Sequence, residues 1–181
     1  MRNHAAMSIM QLLYRRIFAS IIDYGIIGIY GIFLFLLTQS IASECNLNLN
    51  IHPFESQLIG FLCLTLPVFL YSYLTEKSNW KGTIGKRILN INVTPNPAAS
   101  HDHIFLRNLL KYLPWELAHT GVHWTIYYSQ KEMELALWIW GLLMGPQIIA
   151  IVYFASIVKT KGERSVYDEI AKTKICIINS N

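Results

Sequence analysis

Residues 17–42, IFASIIDYGIIGIYGIFLFLLTQSIA, contain a single charge, Asp23. A helix that crosses a bilayer needs roughly 20 apolar residues, so this run is long enough to span. An ionised carboxylate inside it costs roughly 2.5–3.5 kcal/mol on insertion scales. Such a residue needs a partner or a task. Arg16 lies seven residues earlier, two helical turns away and on the same face. The pair reads either as a proton or cation site near one mouth of a membrane domain, or as an ion pair that fixes helix packing.

Only 14% of the 181 residues are charged and 53% are hydrophobic, whereas soluble domains carry about 25% charged residues. The expectation is one small membrane domain with no separate soluble enzyme domain. The net charge of +4 is then read as orientation signals and contacts to anionic lipid headgroups, with no nucleic-acid partner. The first apolar run exceeds the roughly 7–15 residues of a signal peptide, so no cleavable leader is expected. Cys45, Cys63 and Cys176 have no CxxC or CxxH spacing; neither a zinc site nor a disulfide framework is indicated. No cofactor is expected.

Further apolar runs cover residues 57–75, with a kink expected at Pro67, and residues 135–158. Residues 106–128 are ambiguous by hydropathy. The basic residues argue that they also enter the membrane. Arg15 and Arg16 precede the first run, Lys77 to Arg87 follow the second, and five Lys and Arg residues follow the last. With four segments only Lys131 of the 15 basic residues faces outside, as the positive-inside rule prefers. Trp124, Tyr127, Tyr128, Trp138 and Trp140 would then form the outer aromatic belt. Pro114 is expected to break the third segment, leaving a short, tilted or re-entrant helix. Both termini are expected in the cytoplasm.

Residues 88–93 and 173–178 read as short strands that should pair, since an isolated strand cannot satisfy its backbone. Asp102 can cap a helix starting at Ile104, and Ser165 with Asp168 can form a capping box. His101, Asp102 and His103 read as a solvated loop cluster.

Four blocks in order resemble the RDD family of small integral membrane proteins, named for one Arg and two Asp residues. They are RRIFASIID at 15–23, GTIGKRILNINV at 82–93, FLRNLLK at 105–111 and ERSVYDEIAKTK at 163–174. The resemblance covers about residues 11–178 and implies a single membrane domain whose naming triad is Arg16, Asp23 and Asp168. Tyr167 stands where a His often precedes the last Asp. Ion or solute transport is the role the resemblance implies.

The fold expected is an all-α membrane protein. It has about four membrane-embedded helices, near 17–42, 57–75, 106–128 and 135–158, and a small cytoplasmic two-stranded β element. Its location would be a bacterial cytoplasmic membrane. Candidate site residues are the charged cluster Arg16, Asp23 and Asp168 and the cytoplasmic basic residues Lys86, Arg87 and Arg107. Glu116, His119 and His123 share one helical face and read either as a polar inward face or, less favoured, as a metal set. The sequence GTIGK lacks phosphate-loop spacing. Gly25, Gly28 and Gly31, and the Gly141–Gly145 pair, suit close helix packing within the chain or in a homo-oligomer. The functions in contention are transporter-like handling of a proton, cation or small solute, a non-transporting scaffold, and a membrane-embedded metal-dependent enzyme; a non-enzyme is favoured.

Overall fold

A computed structural model describes residues 2–44, 52–96 and 102–178, with side chains in the first stretch from residue 10 onward. Cys45 and His101 lie outside the described residues. The element order is α1 (Arg2–Glu44), α2 (Pro53–Gly60), a π-helical turn (Phe61–Thr65), α3 (Leu66–Lys77), α4 (Ile84–Ile88), β1 (Ile91–Pro95), α5 (His103–Gln130), α6 (Leu137–Lys159), α7 (Val166–Ile170) and β2 (Thr173–Ile177). Among the described residues three helical stretches are long and apolar enough to cross a membrane: Met10–Glu44, Pro53–Lys77 and Leu137–Lys159. α5 is not in that class; Arg107, Lys111 and Glu116 lie along it.

The break expected at Pro114 does not occur. α5 runs unbroken for 28 residues, roughly 42 Å at the helical rise. Proline has no N–H for the carbonyl four residues back and crowds it. In α5 that carbonyl is Leu110, and Tyr153 of α6 donates its hydroxyl to it at 3.1 Å. The second rod, Pro53–Lys77, uses the same device. Pro67 frees the Cys63 carbonyl, the preceding turn widens into the π form, and Tyr30 of α1 donates to Cys63 at 2.7 Å. Each tyrosine replaces the missing backbone donor from a neighbouring helix.

The long elements pack as antiparallel neighbours. Trp124 meets Trp138 edge-on at 5.1 Å between centroids, Gly121 lies under Leu142 and Leu143, and Tyr153 reaches Leu110. α5 and α6 are therefore a helical hairpin whose turn end carries the aromatic cluster.

At the opposite end β1 and β2 pair antiparallel, with Asn92 opposite Cys176. The first strand begins three residues later than expected, because Ile84–Ile88 winds into α4 and Asn90 turns the chain at φ 53°. Ile91, Val93 and Ile175 bury against Leu12 and Ala19 of α1 and Ile104 of α5. The early part of α1, the ends of α3 and α6 and the start of α5 thus meet at one cap.

The glycine stripes expected to pack within the chain do not. Among the described residues nothing lies within 4 Å of a Cβ built at Gly25, Gly28, Gly31, Gly141 or Gly145. Close approach is made instead at Gly85, where a Cβ would sit 2.2 Å from the Ala19 carbonyl.

Tyr153→Phe should lower stability in detergent by about 0.5–1.5 kcal/mol, the worth of one net hydrogen bond. Pro114→Leu, which restores the helical N–H to Leu110, should absorb most of that loss. A double-mutant cycle by thermal unfolding reads the coupling, and strictly additive effects would contradict the capping account.

Candidate functional site

Buried charges gather where the four rods meet. Arg107, on the first turns of α5, donates from Nε to Asp168 Oδ1 at 2.7 Å and from Nη1 to Glu76 Oε2 at 2.5 Å. Arg16 of α1 donates to Asp168 Oδ2, to the Tyr167 hydroxyl at 3.0 Å and to the Gly162 carbonyl at 2.8 Å. Lys86 of α4 donates to Glu76 Oε1. The result is one chain of alternating charge, Arg16–Asp168–Arg107–Glu76–Lys86, with both carboxylates fully buried.

Neutral donors complete it. Asn108 bonds Glu76 at 2.9 Å, and Ser165 N–H and the Thr173 hydroxyl bond Asp168 at 2.9 and 3.1 Å. The Ser165 capping box of α7 is the local reason that Asp168 points inward. The Tyr167 ring lies 5.3 Å from the Arg107 guanidinium and 5.9 Å from that of Arg16, a cation–π shelf under both cations. Burial alone raises the Asp168 carboxyl, but Arg107 and Arg16 outweigh it and hold it below its ordinary value. Burial pulls the Lys86 ammonium down to about 8, with Glu76 opposing.

Asp23 is not in this chain, and Arg16 does not pair with it. Thr83 donates to Asp23 Oδ2 at 2.5 Å and the Gly85 N–H to Oδ1 at 2.9 Å. A carboxylate of α1 thereby takes one orphan N–H of α4, that of Gly85, where the helix end is electropositive, while the Ile84 N–H goes to the Tyr71 hydroxyl at 2.9 Å. The GTIGK sequence follows from this contact. Thr83 supplies the hydroxyl, Gly85 the close approach, and Lys86 the cation for Glu76. Arg87 instead stacks over Trp80 at 4.5 Å on the outside.

A second polar feature leaves the cap along α5. Asn108, Tyr112, Glu116, Thr120 and His123 follow one helical face. They meet Glu76, Ser72, Thr65, Gln57 and Ser56 in turn, at 2.9, 2.5, 2.7, 2.5 and 3.0 Å. This seam joins α5 to the whole length of the second rod. His119 lies beside His123, 4.6 Å between centroids, and both rings rest on Gly60. Among the described residues His119 Nδ1 and His123 Nε2 are buried with no partner. Midway, a cavity of about 30 Å³ borders Thr65, Lys111, Tyr112 and Tyr24, which is space for a water molecule. Among the described residues no three His, Cys, Asp or Glu side chains gather as a metal set.

Of the residues singled out in the sequence, the cap joins Arg16, Asp168, Lys86 and Arg107. Asp23 lies next to it, and Glu116, His119 and His123 form the far half of the seam. His103 is not solvated: it is buried and its Nδ1 is 2.6 Å from the Ala171 carbonyl. Glu76 was missed because it follows the apolar run directly and resembles a flanking charge. Its signal is position: Thr65, Ser72 and Glu76 share one face of the rod, and all three are buried.

Three helices long and apolar enough to cross a membrane, joined to a buried polar cap among the described residues, mark an integral membrane protein. Residues 11–172 match the RDD family, and the chain belongs to it. No curated protein and no solved structure matches.

Asp168→Asn strands two buried guanidinium contacts and should cost roughly 3–5 kcal/mol at neutral pH. Asp23→Asn leaves Arg16 paired and retains an acceptor for Gly85, so about 1 kcal/mol is expected. The folded-state pKa of Asp168 is depressed, so its contribution is complete above the unfolded value near 3.9 and vanishes as pH falls through the lower folded value. The stability gap between wild type and Asp168→Asn should begin to narrow below about pH 4 in unfolding measurements and close only as pH falls through the lower folded-state value. A gap that does not narrow as pH falls below about 4 would contradict the charge assignment.

Proposed function

We propose that the protein moves protons, in the manner of a small transporter, along the seam between α5 and the second rod. The observation that carries this reading is the row of polar side-chain pairs from the His119–His123 pair through Glu116 to the Glu76–Lys86 cap. Glu116 is an acid with only the Thr65 hydroxyl on its Oε2 and no ion-pair partner among the described residues. Intramembrane acids are costly to keep charged and are functional by default. Two unpartnered imidazole nitrogens at one end and a water-sized cavity near the middle suit proton transfer.

The reading takes α5 as a fourth crossing. Parity supports it. The early part of α1, the end of α3 and the end of α6 meet at the same cap, so if those three rods cross, the chain must return through α5. The cap holds most of the basic residues, which favours the cytoplasmic side for it and for both chain ends. The site is a bacterial cytoplasmic membrane in this reading, the protein is no enzyme, and its partners are the bilayer and anionic lipid headgroups. The glycine stripes on the outside favour a homo-oligomer. A scaffold without transport is the second reading, favoured by the five hydrogen-bonded pairs that tie α5 to Pro53–Lys77.

Purified protein in liposomes carrying an internal pH dye should dissipate an imposed pH gradient. Glu116→Gln should remove most of that flux while unfolding at a similar temperature. Proton-tight wild-type liposomes, with correctly folded protein, would leave the scaffold reading. For topology, a cysteine placed at Lys131 should react with an impermeant reagent from outside the cell; one placed at Lys174 should react only after permeabilisation.

A further inference from the structure

We infer that the cleft between α5 and α6 holds an anionic phospholipid, with its phosphate on Lys111. Arg16, Lys86 and Arg107 each rest on a buried carboxylate. Lys111, one turn along α5 from Arg107, makes no ion pair among the described residues. Its nearest polar contact is the neighbouring Tyr112 hydroxyl, at a long 3.4 Å. Its ammonium lies 4.9 Å from the Tyr112 ring and is attracted by Glu76 without touching it; a cation among helices with no contacting counter-ion is costly, so an anion from outside the chain is the natural complement.

The space beside it fits an amphiphile. A cleft of about 500 Å³ runs between α5 and α6, from Lys111 past Pro114, Ala118, Gln147 and Pro146 to Ala150. Ala118 and Ala150 keep its floor low, and exposed Trp115 and Phe154 form part of its walls. Pro146 and Ala150 lie within Leu137–Lys159, one of the three crossing helices, so the apolar half of the cleft is at acyl-chain depth. A free inorganic anion would satisfy Lys111 and leave the apolar floor to water. A diacyl lipid of net negative charge fills both parts, with its phosphate on the ammonium and a chain along the alanines. A zwitterionic lipid brings its own cation next to Lys111 and is the poorer match. The cleft takes none of its lining from Pro53–Lys77, so lipid retention is read without reference to proton movement along the seam.

The test titrates the purified full chain with phosphatidylglycerol, phosphatidylcholine or inorganic phosphate. Native mass spectrometry reads retained lipid and thermal unfolding reads the midpoint. Phosphatidylglycerol should be retained and should raise the midpoint more than phosphatidylcholine; inorganic phosphate should do neither. Lys111→Gln should weaken phosphatidylglycerol about fivefold, the factor expected for one lysine–headgroup contact, and leave phosphatidylcholine unchanged. Ala150→Leu fills the exposed floor without touching the charge and should reduce retention too, which keeps the test decisive if Lys111→Gln fails to fold. Undiminished phosphatidylglycerol retention in Ala150→Leu overturns the inference. An equal loss in Lys159→Gln would mean surface attraction alone and also overturns it. A midpoint rise with inorganic phosphate would make the site one for a free anion. A change of oligomer mass in Ala150→Leu would assign the cleft to a second copy; either result overturns the lipid.

Discussion

Arg107 is the residue on which the rest of the molecule depends. Its guanidinium bridges Glu76, at the end of α3, and Asp168, in α7, and each of those carboxylates binds a further cation from α1 or α4. Five buried charges on five helices therefore have one mutually satisfied arrangement. A buried ion pair adds little net stability over apolar packing, because desolvation consumes most of the Coulombic gain. Its effect is discrimination: any sliding of α5 against the second rod leaves a charge unpaired in a dry environment, at several kcal/mol. The planar fork of Arg suits this bridging role, which a lysine point charge cannot fill.

From that fixed point α5 presents different chemistry on its two sides. Its polar face repeats down the second rod as hydrogen-bonded pairs, and its small-residue face opens the cleft towards α6. Both depend on α5 staying straight past Pro114. The Tyr153 hydroxyl allows that by replacing the N–H that proline lacks. Tyr30 does the same for Pro67 in the second rod. A proline here marks a point at which neighbouring helices are tied together.

Much of this was legible in the sequence. The apolar runs, the paired strands, the Asp102 and Ser165 caps and the RDD family's blocks are local or short-range signals, and the structure contains them. The partners of the charges were not legible. Arg16 and Asp23 share a helical face by spacing, yet seven residues is about 10 Å along a helix, too far for contact without side chains that reach. Each found a closer partner from a distant part of the chain, Asp168 and Thr83. The break at Pro114 was misjudged for a related reason: propensity sees the missing donor but not the tyrosine that a neighbouring helix brings. The glycine stripes show the converse, since small residues at helical spacing permit packing without stating which surface uses it.

The central claim is that Arg107 couples two parts of the cap that are far apart in sequence. Hydrogen exchange on Arg107→Gln and Arg107→Lys in detergent tests it most directly. The account predicts that both variants lose amide protection together in α4–β1 and in α7–β2, with lysine giving little rescue, while α6 beyond the cap stays protected. Unchanged protection in both regions, or loosening of α7–β2 alone, would contradict it.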